Sequence, residues 1–298
     1  MSDFVQHLLE GLAQGFIYAL IALGFTVIYR SSQVINFAQG SLLLLGAYLV
    51  AWFHVVRNMP FGIAVLLAIL SCALVGIVFQ VGVLRRVTGQ PVFTVVMITI
   101  GLNIVLTAYV PAAVAAQGLD TQDPWGLSAW SHGGITLTYV KIWGSVTCLA
   151  VLGGFFLFDR YSRYGLAMRA TASDEEAALA AGVPTRRANA VAWALAGAVA
   201  AIGGMFLAGF PSRADPTVGL SALSAFPAII LGGLESPVGA VIGGITIGVV
   251  QVLTANYQPN HASWLGANFY IIAPYIVMIL VLLVRPYGLL GKRPVERV

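Results

Sequence analysis

Apolar runs follow one another along the chain with only short polar breaks between them, and most are long enough to cross about 30 Å of hydrocarbon. They occupy 8–29, a window ending near 56, and then 61–84, 91–115, 141–158, 188–210, 220–234, 238–254 and 269–284. Two places interrupt the rhythm. The stretch SSQVINFAQG at 31–40 is polar but barely charged, and 220–234 is short and is followed by the break GGLESP. The pattern predicts an all-α polytopic membrane protein of eight or nine transmembrane spans in a single domain over 1–298. Broken or re-entrant segments are expected near 31–46 and 219–248. Counting 220–234 as a full crossing gives nine spans.

One polar island stands out, DRYSRYGLAMRATASDEEAALAAGVPTRR at 159–187. Ser173 followed three residues later by Glu176 is a capping-box pattern, in which each side chain satisfies an orphan backbone donor of a first helical turn. Asp174 and Glu175 place negative charge at the favoured end of the helix dipole. The alanines that follow are strong helix formers, while Gly182 supplies a left-handed stop and Pro184 forbids continuation. A helix of about two turns with small side chains is therefore expected between two spans.

Composition sharpens this picture. Hydrophobic residues make up 59% of the 298, charged residues 9%, and the mean hydropathy is +0.91. If the island is cytoplasmic, alternation of the spans collects twelve of the fifteen Lys and Arg on that side and leaves Arg57, Lys141 and Arg213 outside. Such a bias fixes orientation. It assigns 159–187 to a cytoplasmic loop and 285–298 to a basic cytoplasmic tail. The net charge of +4 sits in short loops rather than on one face, which argues for topology and lipid contact and against nucleic acid. The opening MSDFVQH lacks a basic n-region, so the first span is expected to act as its own insertion signal.

Several chemistries have no visible residues. There is no GxxxxGK[ST] phosphate loop, no HExxH and no CxxC, and the four histidines are scattered at 7, 54, 132 and 261. Cys72 and Cys148 lie within apolar runs and read as packing thiols. No cofactor or metal is expected, and the chain reads as a non-enzyme. Carboxylates are missing from the middle of spans, where a proton relay would need them; Glu10 and Asp159 sit at span ends. A carrier without its own relay or nucleotide site draws its energy from elsewhere, although sodium coupling through backbone carbonyls needs no acid.

Glu176-Ala177-Ala178 with Gly182 matches the EAA-xxx-G pattern of permease subunits of ABC importers. Together with RYSRYGLAMRA, INFAQGSLLLLGAY and AFPAIILGGLESPVGAVIGGITIGVVQ, it makes the chain resemble, over nearly its whole length, the permease of high-affinity branched-chain amino-acid importers. Close relatives of that family carry urea or short amides. One departure is Gln39 in Asn36-Phe37-Ala38-Gln39-Gly40, where relatives often read NFAHG, so the position has no titratable ring here. The resemblance implies that Glu176, Ala177, Ala178, Ala181 and Gly182 seat a helix in a groove of ATP-binding cassette subunits. It also implies a second permease, usually a different chain, an extracytoplasmic substrate-binding protein, and a bacterial inner-membrane location. The rival reading is a stand-alone channel or sodium-coupled carrier.

The interrupted segments nominate residues for the solute path, since broken spans expose backbone polar groups. Asn36, Gln39 and Ser41 are candidates in the first half, and Ser221, Ser224 and Thr246 in the second. Thr99 and Asn103, with Thr107, share one face of the fourth span at i, i+4 spacing. The alternative for each is interhelical hydrogen bonding. Gly239, Gly243, Gly244 and Gly248 have the spacing of close helix packing. The loop 117–139, with Asp120, Asp123, Trp125 and Trp130, is either a contact for the binding protein or an ordered cap.

Overall fold

The computed structural model describes residues 2–87, 89–114, 118–173, 175–209 and 211–291. Among them are eleven α-helices and one small hairpin. The helices are α1 Ser2–Ser32, α2 Gln39–Ala51, α3 Phe61–Gly82, α4 Val92–Ala113, α5 Tyr139–Tyr161, α6 Arg163–Ser173, α7 Glu175–Ala180, α8 Thr185–Leu207, α9 Thr217–Gly232, α10 Pro237–His261 and α11 Phe269–Val284. Seven apolar helices are long enough to cross a membrane, and α9 and α11 are shorter, at 16 residues each. At 1.5 Å per residue those two reach about 24 Å.

Two poles follow from the contacts. At one, Arg30 at the end of α1 pairs with Asp159 at the end of α5, and α6 and α7 lie beside them. At the other, Glu10 near the start of α1 pairs with Lys141 near the start of α5. The hairpin β1 Ala129–His132 with β2 Ile135–Thr138 sits at this second pole, tied to α1 by Thr136 N–H donating to Gln6 Oε1. Arg213 pairs with Asp120 there, and residues 119 and 214 form a short bridge. Lys141 and Arg213 fall at the hairpin pole, and Arg30 and Arg169 at the α6–α7 pole.

The core is a glycine seam. Gly15 and Gly11 of α1 face Gly248 and Val249 of α10, and Gly244 sits against the backbone of Ala19. Gly239 and Gly243 do the same toward Gly232 and Ala228 of α9. The spacing predicted close packing, and small residues let these three backbones meet, which raises dispersion contact where no hydrophobic driving force separates helix from lipid. A second seam joins α3 to α8 through Gly76 and Gly197, and Gly46 and Gly204 join α2 to α8.

Both expected breaks occur within the predicted stretches. Residues 33–38 form no helix although Val34, Asn36 and Ala38 are buried. Residues 233–236 form a tight turn, with Gly233 at φ 101° and Ser236 Oγ accepting from Gly239 N–H at 3.0 Å as an N-cap. Gly219 to Gly232 itself is regular helix, so the second interruption is confined to that turn. Cys72 and Cys148 are buried free thiols.

Candidate functional site

The α6–α7 pole is built around Asp159. Its carboxylate meets Arg30 of α1 at 3.2 Å and Arg169 of α6 at 3.3 Å, and Arg169 also donates to the Asp159 carbonyl. Ser162 turns the corner into α6: its backbone is extended and its Oγ accepts from Gly165 N–H at 2.8 Å, an N-cap. Gly165 is needed there because a side chain would collide with the Asp159 backbone. Gly165, Ala167, Met168 and Thr171 then face inward, against α1 and α8.

Helix α7 ends as expected at Gly182, whose φ is 77°. Gly182 N–H donates to Leu179 O at 3.0 Å and Val183 N–H to Ala178 O at 2.9 Å, the paired bonds of a Schellman stop. Ala177, Ala180, Ala181 and Leu179 are exposed. Ala178 differs from the expectation of an outward contact: it is buried against its own chain, with Val183 closing the same corner. Ser173 is the last residue of α6, and the predicted capping box lies outside the described residues, since Asp174 and the side chains of Glu175 and Glu176 are not among them.

The break at 33–38 separates two cavities. The outer one, about 370 Å³, lies between α1, α2, α4, α9 and α11. Its wall is mostly apolar, with Phe25, Phe37, Ile100, Leu223 and Phe226, and its polar groups are Asn103 and Thr107 on α4 and Tyr275 on α11. Gly40, the second residue of α2, is on this wall, where a side chain would strike the Gly219 carbonyl. The inner cavity, about 320 Å³, lies between the break, the ends of α3 and α4, and α8. Phe37 faces the outer cavity and its neighbour Asn36 the inner one.

Of the predicted path residues, Asn103 and Thr107 line the outer cavity, and Asn36 lines the inner one. Several of them, Asn36 included, bond to other groups of the protein. Asn36 donates to Gln39 Oε1 at 3.3 Å and caps Ala38 N–H at 2.9 Å, while Gln39 Nε2 donates to Ala196 O at 3.4 Å. Ser41 Oγ bonds Ala38 O, and Thr99 Oγ1 bonds Val96 O and accepts from Phe37 N–H. These bonds satisfy a buried non-helical backbone, which explains why so polar a stretch is tolerated at depth. Ser221 and Ser224 are half-buried on α9, and Ser224 lies near the Tyr18 hydroxyl, which donates to Gln251 at 2.6 Å. Thr246 bonds Ile242 O within α10.

Sequence reasoning missed the aromatic lining, Phe25, Phe37, Phe226 and Tyr275, because aromatic residues in an apolar span carry no signal of what they face. It also missed the double role of Asp159. The loop at the other pole is part cap and part open surface. Asp123 caps the turn at 124–127 and Trp125 packs between Phe61 and Phe206, whereas Leu127 and Trp130 point outward.

Residues 7–282 match the family described as the branched-chain amino acid transport system / permease component. The permease LivH of the high-affinity branched-chain amino acid transport system of Salmonella typhimurium is 32% identical over 311 aligned positions, covering 99% of this chain and 98% of its own. The permease BraD of Pseudomonas aeruginosa is 29% identical with the same coverage. A more distant relative, the L-arabinose permease AraH of Escherichia coli, is 29% identical over 59% of this chain and 51% of its own. No solved structure matches the chain. A multi-pass helical chain that matches this model from near its first residue to its last span belongs to the branched-chain amino acid transport permease family.

Proposed function

We propose that the chain is one permease subunit of an ATP-driven importer of branched-chain amino acids. The outer cavity is the observation that carries this reading. Its aliphatic and aromatic wall suits an apolar side chain, and the hydroxyl and amide groups along α4 are placed for the polar end of the solute. Leu220 and Leu223 on its α9 wall are exposed, and a second permease seated there closes the cavity.

Helix α7 is the part that meets an ATP-binding subunit. It stands at the arginine-rich pole, its exposed side is Ala177, Ala180 and Ala181 with Leu179, and Gly182 sets the angle at which the chain leaves it. Small side chains permit a groove to close around the helix backbone. Asp159 ties that helix pair to α1 and α5, so that a push on α7 moves whole spans. The opposite pole, with Leu127, Trp130 and Trp264 exposed, receives a substrate-binding protein. Under this reading the chain resides in the bacterial inner membrane with the α6–α7 pole in the cytoplasm.

Uptake of radiolabelled L-leucine and L-valine into proteoliposomes containing the assembled complex tests the proposal. Uptake is expected only with ATP and with both permeases present. ATP-independent flux of either solute through this chain alone favours the channel reading instead.

A further inference from the structure

We propose that the inner cavity is a second solute site, distinct from the import cavity and reached from the α6–α7 pole. Its ligand is a small molecule without net charge that offers both an N–H donor and a carbonyl or carboxylate acceptor: a primary amide or a zwitterionic amino acid. Three unpaired polar groups carry the inference. Gln80 of α3 is only 8% exposed, lines the cavity, and makes no hydrogen bond to any described residue. Trp193, 2% exposed, and Asn189 line the same cavity, and the indole Nε1 and the amide Oδ1 are both buried without a partner. Each buried group left unmet costs about 1–3 kcal/mol, so the indole and the Asn189 oxygen call for an occupant beside the Gln80 amide. The indole needs an acceptor and the Asn189 oxygen needs a donor, so the occupant must supply both. Among the described residues no ionised side chain is on the wall, which disfavours a ligand with net charge. Gln33 and Gln90 are exposed at the mouth, and Asn36 on the floor belongs to the break that also walls the import cavity. Solute gathered on that side therefore bears on the same hinge that import must move.

The test uses the assembled transporter in lipid nanodiscs without its binding protein. L-leucine and, separately, acetamide are titrated while tryptophan fluorescence is followed. A saturable change with at least one probe is expected, weakened at least tenfold by Asn189→Leu and by Gln80→Leu, and unaffected by Asn103→Leu in the outer cavity. Gln80→Leu also removes an unpaired amide from an apolar helix, so its thermal midpoint should stay level or rise, which shows that the variant is folded. No saturable change with either probe means that water alone fills the cavity and overturns the proposal. A response lost in Asn103→Leu but kept in Gln80→Leu also overturns it, and assigns binding to the import cavity. The import reading fails separately, through absence of ATP-driven uptake, so the two failures are distinguishable.

Discussion

Helices α1 and α4 are both apolar spans, yet 83% of the most apolar part of α1 is buried in the protein against 6% for α4. The difference is one of side-chain size. Glycines at 11 and 15 let α1 touch the backbone of α10, whereas α4 presents Met97, Ile104, Val105 and Tyr109 outward. Its main neighbours are α2 and the turn at 84–87, and Phe37 N–H bonds its Thr99. Helix α4 nevertheless supplies wall to both cavities, through Ile100, Asn103 and Thr107 on one and Val92 and Val95 on the other. A rigid body thus carries the tie to α6 and α7, and a loosely held helix walls both cavities. Under the proposed function, force enters where packing is tight and the path opens where it is loose.

The contrast can be broken first at the seam. Gly244→Leu drives a side chain into the Ala19 backbone, an overpacking that two backbones in contact cannot relieve, at about 3 kcal/mol or more. No monodisperse peak should survive on size-exclusion chromatography of the solubilised complex. Gly182→Leu comes next. A branched residue at φ 77° is strained by about 1–2 kcal/mol, and no described atom lies within 4 Å of the added Cβ. Membrane insertion should be normal and substrate-stimulated ATP hydrolysis abolished; normal coupling in this variant refutes the role given to α7.

Asp159→Asn is the intermediate case. It leaves Arg30, itself 11% exposed, beside a neutral amide, and loss of one partner in a largely buried pair costs about 3 kcal/mol. A lower thermal midpoint and a several-fold drop in uptake per ATP hydrolysed are expected. Asn103→Leu on the loose helix should lower L-leucine uptake about tenfold, the value of one good polar contact of about 1.4 kcal/mol, with no change in thermal midpoint. Ile104→Ala, on the lipid side of the same helix, should change the midpoint by less than about 0.5 kcal/mol equivalent. If Ile104→Ala destabilises as Gly244→Leu does, the division into tight and loose parts is wrong.

Much of this division is legible in the chain. Glycines at i, i+4 spacing in 239–248 foretell the seam because only backbone contact needs them, and Gly182 foretells a stop because few other residues adopt positive φ. The break at 31–40 is visible as polarity without charge. What that polarity does is not visible: Asn36, Gln39, Ser41 and Thr99 satisfy the backbone of the break, and a hydrogen bond to main chain leaves the same trace in a sequence as one to a solute. The cavities themselves depend on which aromatic rings converge from α1, α9 and α11, and that is decided by helix crossing rather than by any local pattern. Gln80 was within reach, as a lone amide in an apolar span.

Because both native cysteines are buried, a single added thiol reports cleanly on α7. Ala181→Cys in the assembled complex should form a cross-link to the ATP-binding subunit, with a yield that changes when ATP is added. Labelling of that cysteine in intact cells by a membrane-impermeant maleimide, with no cross-link, would contradict the account.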